Sequence, residues 1–481
     1  MKFKKIIFAI LTLFLFISPC AFGEEKFSSS NVKNTISELS SDKYKGRLAG
    51  DSGNEMAAEY IKNKFKEYGL LPYDDKGTYF QSFSIVVPQL KGEALLNVIN
   101  KDKKIIKKYE YGKDFKECTY GASSNGKAAG NAEFFDSLYS SSQIKSNSPI
   151  IITKKAPFGE NKDSYDFDLS LKNAGVKALI YSWQESNFRF RSPYKNQEFK
   201  NDGIIKIITN DSICEEIKKY INEGNILEVS SPVQVKSTAA KNVIAKIEGK
   251  NPSLPPLVLS AHFDHVGFDA DGIIYPGAFD NASGTGFLLE CARVLKDESP
   301  ERTIIFAAFN GEEEGLIGSK YFVENPPVSL KDAECINFDM VGSKSDIPLT
   351  ILSDKGSESF TRDVSKLLRS NSIENETLYE ANSDHASFCE NHINAVTFIH
   401  NDPMKIHTPE DNIDNISEEQ IGKAYNALST YLSSRNIGDT PVAARITYET
   451  SNNNTLISII IIVLASSSVI YIYRKKIKKT V

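Results

Sequence analysis

Two short apolar runs, Leu257 to Ala261 and Thr303 to Phe309, each break off at a knot of histidine, aspartate or glutamate. The first runs into His262-Phe263-Asp264-His265. The second runs into Asn310-Gly311-Glu312-Glu313-Glu314. Apolar runs without alternation read as strands buried on both faces. In an open α/β sheet the polar chemistry sits just past the carboxyl ends of such strands. Asp339 closes a third run, ECINFDMVG, and Ala395 to His400 is a fourth. Helical patterns separate them: Ser283 to Lys296, Leu316 to Val323, Phe360 to Arg369 and Glu418 to Ser433. The expected fold is therefore α/β, a mixed central sheet with helices on both faces.

The donor inventory is concentrated in this part. All six histidines lie between His262 and His407. A single aspartate at a strand end is usually a turn or a helix cap. Two histidines, two aspartates and a glutamate after separate strands instead make a dinuclear metal site. Asp280, in the turn PGAFDNASG, is a carboxylate able to bridge two ions. Glu312 and Glu313 are adjacent, so one can ligate while the other takes a proton from water. Asp264 can stand behind an imidazole ligand. Gly277 and Gly284 fit a tight turn and close packing around Asp280. His265, His392 and His400 are expected to be structural or solvated.

The rest of the chain is quieter. An amphipathic helix with Ala57, Ile61, Phe65 and Tyr68 on one face ends at Gly69. Tyr79 to Val87 alternates as a strand. The lysine run KDKKIIKK reads as an exposed hairpin. A stretch from about 101 to 235 has no histidine and no paired acids, and is expected to fold as a small β-rich α/β insert concerned with substrate access. Removing about 115 to 235 is expected to leave metal binding largely intact if the catalytic domain folds alone.

With 481 residues the chain exceeds one ordinary core. The net charge of -5 is mild and argues against a nucleic-acid surface. Lysines at 2, 4 and 5 precede an apolar run, the pattern of a secretory signal peptide over 1–23. Leu456 to Tyr473 is apolar and is followed by RKKIKK. At 1.5 Å per residue it reaches about 27 Å, close to a bilayer core. A single C-terminal membrane span with a cytoplasmic basic tail at 474–481 and an extracellular catalytic domain is expected. The expected order is 24–100 as the start of the catalytic domain, 101–235 as the insert, 236–437 as the catalytic remainder and 438–455 as a linker. Five widely spaced cysteines follow the signal and do not form a disulfide framework.

The blocks AHFDHVG, PGAFDNASG, FNGEEEGLIGS, NFDMVG and IHTPED resemble those of the M28 family of zinc metallopeptidases, aminopeptidase type, in family order. The resemblance covers most of 40–435. KNAGVKALIY in the insert is similar to a protease-associated domain. The resemblance implies two Zn2+ per chain and peptide substrates. It implies that His262 and Asp339 hold one zinc, Glu313 and His407 the other, and Asp280 bridges them. Glu312 would be the general base, and Asp264 would orient His262. Asp384 and His385, in NSDHASF, would lie beside the substrate, with Tyr379 a candidate oxyanion donor. The competing readings are a carboxypeptidase of the same fold, a glutaminyl-cyclase-like zinc acyltransferase, and a non-enzymatic surface protein on a peptidase scaffold.

Overall fold

The computed structural model describes residues 27–74, 76–157, 162–183, 188–195, 197 and 203–437. All of these fall within one compact unit. Its main sheet has nine strands: β1 (Leu71–Pro72), β2 (Phe80–Leu90), β3 (Val233–Ile247), β4 (Leu257–His262), β5 (Ile304–Phe309), β6 (Glu334–Phe338), β7 (Leu349–Ser353), β8 (Asn375–Tyr379) and β9 (Asn394–Ile399). The spatial order is β1-β3-β5-β4-β6-β9-β7-β8, with β2 laid along the long strand β3.

Strands β5, β4, β6 and β9 run parallel to one another, so their carboxyl ends share one edge. Every residue of β4 and of β5 is buried, as expected of parallel strands covered on both faces. Strand β3 meets β5 antiparallel and β7 meets β9 antiparallel, which makes the sheet mixed. The helices are α1 (Ser29–Leu39), α2 (Ser52–Glu67), α3 (Ser283–Leu295), α4 (Ile317–Glu324), α5 (Glu358–Ser370), α6 (His385–Glu390) and α7 (Glu418–Ser434).

Apolar residues of α1, α2, α3, α5 and α7 share one core with β4 and β6. Apolar residues of α4 and α6 close the opposite face with Val258, Ile305 and Cys335. This is the α/β arrangement expected from the alternation of apolar runs. Helix α3 packs close because it is lined with small residues. A Cβ on Gly284 would stand 2.3 Å from the carbonyl oxygen of Phe338. Strands β7 and β8 were not read from the sequence. β8 has only one fully buried residue, Asn375, and lacks the apolar run that marked the others.

Between β2 and β3 the chain forms two smaller sheets. One has five strands, in the order Lys116–Glu117, Ile205–Thr209, Ala178–Ser182, Ile150–Thr153 and Ala132–Phe135. The other has four, in the order Ile105–Lys108, Leu95–Ile99, Ile226–Ser231 and Gly126–Gly130. The lysine run forms the edge strand of the second sheet, where Ile105 and Ile106 are exposed. Lysines on an edge strand oppose pairing with other chains. Cys118, Cys214, Cys291, Cys335 and Cys389 are all buried free thiols.

No helix among the described residues is long and apolar enough to cross a membrane. This corrects the expectation of a membrane-anchored chain displayed outside the cell. The stretches on which it rested, the signal at 1–23, the linker at 438–455, the span at 456–473 and the tail at 474–481, lie outside the described residues.

Candidate metal centre

The parallel edge gathers the donors. His262 ends β4, Asp339 follows β6, and Glu312 and Glu313 follow β5. His407 lies in the loop after β9, and Asp280 lies in the turn before α3. Donor atoms of His265, Asp280, Glu313 and His407 form one cluster, within 4.8 Å of one another. Those of His262, Glu312 and Asp339 form a second on the same criterion.

Asp280 joins the two. Its Oδ1 stands 3.5 Å from His262 Nε2, and its Oδ2 stands 3.1 Å from His407 Nε2. One carboxylate thus turns an oxygen to each cluster, the arrangement a bridging ligand needs. On the first side His407 Nε2 is 3.0 Å from Glu313 Oε2. On the second His262 Nε2 is 3.4 Å from Asp339 Oδ1.

Buried contacts hold these side chains in place. Asp411 accepts from the backbone N–H groups of Phe279 and Asp280, at 2.8 and 3.0 Å, and so fixes the Asp280 turn. Burial pushes the Asp411 carboxyl up to about 6, partly opposed by His265 and by those backbone bonds. Gly277 enters the turn at φ +58, and a Cβ there would stand 2.5 Å from the His265 ring. Ser383 donates to Asp339 Oδ2 at 2.7 Å. Asn337 donates to Ser383 and to Thr397 from beneath.

Asp264 stands near His262, as its spacing implied, and has a second role besides. Its oxygens accept from the backbone N–H groups of Glu312 and Glu313, each at 3.2 Å. His262 Nδ1 lies 3.7 Å away, beyond hydrogen-bond reach. Asp264 therefore seats the tandem glutamates. His265 is also more central than expected. Its Nδ1 is 2.9 Å from Glu313 Oε1, the oxygen turned away from His407.

The flanking candidates are less engaged. Both His385 nitrogens are used, one on Thr397 and one on the Glu380 carbonyl, and burial lowers its pKa to about 4. His400 accepts from the Gly342 N–H and is likewise lowered to about 4 by burial. His392 is exposed. Asp384 is fully buried without a hydrogen-bond partner for either oxygen, and burial pushes it up to about 7. Tyr379 closes β8, but the cavity is lined by its neighbours Leu378, Ala381 and Asn382 instead.

The donor set fits metal ions. Asp339 Oδ1 is buried with no hydrogen-bond partner and points at His262. Burial alone would lower the pKa of His262, yet Glu312 and Asp339 raise it well above the imidazole range. His407 is likewise raised against burial by Glu313 and Asp280. Paired imidazoles among buried carboxylates are a donor set for divalent zinc, and the excess negative charge calls for cations.

The insert reaches this centre. The Arg191 N–H donates to the His407 carbonyl at 2.9 Å, and the Phe190 ring lies 5.8 Å from the His407 ring. The Arg191 guanidinium is buried between Glu117 and Asp269, at 3.3 and 3.2 Å. Asp269 also accepts from Tyr275 and Arg189. Removing the insert would therefore also remove a backbone hydrogen bond to the loop that carries His407. Arg191→Met leaves two buried carboxylates short of their cation. We expect about 3 kcal/mol of lost stability in urea unfolding. Weaker zinc retention should accompany it, measured by dialysis against a chelator.

A mixed sheet with paired donor clusters along its parallel edge is an arrangement able to hold two metal ions. Residues 242–432 match the sequence model of peptidase family M28. Aminopeptidase YwaD of Bacillus subtilis (strain 168) is 33% identical over 226 residues, 43% of this chain and 48% of that protein. A probable zinc metalloprotease of Pyrenophora tritici-repentis (strain Pt-1C-BFP) is 29% identical over 232 residues, 45% of this chain and 46% of that protein. The chain thus spans about half the length of the curated relatives it matches. Two solved structures share the fold. BSAP, a zinc aminopeptidase from Bacillus subtilis, aligns with a TM-score of 0.62 at 22% identity, over 86% of this chain and 99% of that one. An aminopeptidase from Aneurinibacillus sp. strain AM-1 aligns at 0.61 and 22%, over 85% and 94%.

Proposed function

We propose that the chain is a zinc-dependent exopeptidase, an aminopeptidase that removes N-terminal residues from peptides. The observation that carries this reading is the split of the Asp280 carboxylate between two donor clusters, one of which includes Glu312. In this reading His262 and Asp339 hold one ion, Glu313 and His407 the other, and Asp280 both. When bound, the two ions would polarise the peptide carbonyl and lower the pKa of water. Glu312 takes the proton from the attacking water and returns it to the leaving amine. Burial pushes its carboxyl well above the ordinary range, partly opposed by His262, so it is suited to hold that proton. Asp264 and His265 keep Glu312 and Glu313 apart in function: Asp264 fixes their backbone, and His265 engages the Glu313 oxygen that faces away from His407.

The cavity over the site is about 370 Å³, within the range of small-ligand pockets. That size favours the end of a peptide over its middle. The names of the relatives favour the amino end. The insert, in the manner of a protease-associated domain, would shape access to the cavity.

Leucyl and N-acetyl-leucyl peptides, with a glutaminyl peptide as a third substrate, test the reading. An aminopeptidase cleaves the leucyl peptide, leaves the acetylated one intact and does not cyclise the glutaminyl one. Cleavage of the acetylated peptide from its carboxyl end, or cyclisation of the glutaminyl one, would sink it. Elemental analysis should approach two zinc per chain. Asp280→Ala should lose both ions together, because one side chain serves both; loss of only one would refute the bridge.

A further inference from the structure

The cavity is not uniform along the sheet edge. The sheet order sets β5 at one end of the site and β7 and β8 at the other, with β4, β6 and β9 between. The donors from β4 and β6, His262 and Asp339, therefore occupy the middle. Over the far end the cavity is lined by Leu352, Leu378 and Ile399, which come from β7, β8 and β9. Over the β5 end it is lined by Gly315, Leu316 and Lys320, and by Pro193 and Lys195 of the insert.

Two contacts fix the two lysines on one wall. Gln197 donates to the Glu314 carbonyl at 3.3 Å and to the Val86 carbonyl at 3.1 Å. On the other side of Lys195, the Arg191 clamp ties the same segment to Asp269 and to the His407 backbone. Lys195 thus lies on a segment anchored at both ends beside the start of α4, where Lys320 lies. Lys320 is half-buried and has no carboxylate partner among the described residues. The carboxylates that line the cavity are those of the metal centre.

A peptide bond cleaved over the metal centre has the N-terminal residue on one side and the leaving portion on the other. An apolar end and a cationic end flank the centre here. We propose that Lys320, on the wall it shares with the insert, receives a carboxylate on the leaving portion of the peptide, while the apolar end takes the N-terminal side chain. This inference rests on the aminopeptidase reading and adds a substrate class to it. The carboxylate has two sources, the C-terminus of a dipeptide or an acidic side chain after the scissile bond.

The experiment uses four substrates on the zinc-loaded full chain: Leu-Gly, Leu-Gly-amide, Leu-Glu-amide and Leu-Gln-amide. A charge-assisted contact is expected to raise kcat/KM about tenfold for the carboxylate member of a pair. Preference within the first pair identifies the C-terminus, and within the second the acidic side chain. The preference should shrink as salt rises. In Lys320→Met the ratio should fall to about one. Because each ratio is taken within one preparation, a change in the folded fraction cancels. A wild-type ratio near one in both pairs, or a ratio that survives in Lys320→Met, overturns the inference while the aminopeptidase reading stands. Cleavage of none of the four substrates overturns both.

Discussion

Glu312→Gln is expected to lose about 10² to 10⁴-fold in kcat and to keep both zinc ions. That corresponds to roughly 3 to 5.5 kcal/mol of barrier at 1.36 kcal/mol per tenfold. The substitution preserves size and most hydrogen bonding and removes only the base. The backbone at 312 is held by Asp264 Oδ1, so the amide side chain starts from the same position as the carboxylate. The geometry also supplies the competing outcome. Glu312 clusters with His262 and Asp339, while Glu313 clusters with His407. If Glu312 is a ligand of the second ion, the variant loses zinc together with activity. Parallel measurement of kcat and zinc content on a leucyl substrate separates the two. Near-normal turnover would end the assignment of Glu312 to either role.

The donors themselves were legible because of where they stand. His262, Glu312, Glu313 and Asp339 end or follow apolar runs, and the end of a parallel strand is where a sheet exposes polar groups; Asp280 and His407 stand in the loop blocks PGAFDNASG and IHTPED. His262, Asp280, Glu312, Glu313, Asp339 and His407 converge as that logic implies. What holds them was harder to read. Spacing put Asp264 on the same face as His262, since residues two apart on an extended segment share a face, and its Oδ1 does lie 3.7 Å from His262 Nδ1. What spacing could not show is that the hydrogen bonds of Asp264 go to the backbone of Glu312 and Glu313. His265 sits where the strand has ended and no period gives its direction. Asp411 lay inside the quoted block IHTPED, yet an aspartate near a turn reads as a cap. It does bind backbone N–H groups, those of Phe279 and Asp280, about 130 positions away in sequence. The contact of Arg191 with His407 joins segments with no shared pattern, and only the folded chain brings them together.

Arg47 is the strongest case, and the second large effect is expected there. It stands in GRLAG, just ahead of the amphipathic helix, and an arginine at such a place is normally solvated. In the structure it is fully buried. Its Nε donates to the Phe263 carbonyl at 2.7 Å. Its Nη1 donates to Leu39 and Pro276, and its Nη2 to Gly277, at 2.7 to 2.8 Å. One guanidinium thus ties the segment after His262 to the segment before Asp280. Burial pulls its pKa down to about 10, with Asp411 and Asp280 working in the other direction, so it is charged at neutral pH. A fixed positive charge therefore stands behind a centre rich in carboxylates.

Arg47→Met removes the charge and leaves four buried carbonyls without that donor. At 1 to 3 kcal/mol for each unsatisfied group, with water replacing part of the loss, we expect on the order of 4 kcal/mol of stability lost. Zinc affinity should fall as well, because the two loops that carry His262 and Asp280 are no longer tied to each other. Arg47→Lys keeps the charge but offers three donors from a single point in place of a planar fork. It should recover part of the zinc affinity and little of the stability. Urea unfolding of both variants, with competitive zinc titration, checks this. A loss below 1 kcal/mol in Arg47→Met would show that the four carbonyls are served by other groups. Equal zinc affinity in the methionine and lysine variants would show that the buried charge does not act on the centre.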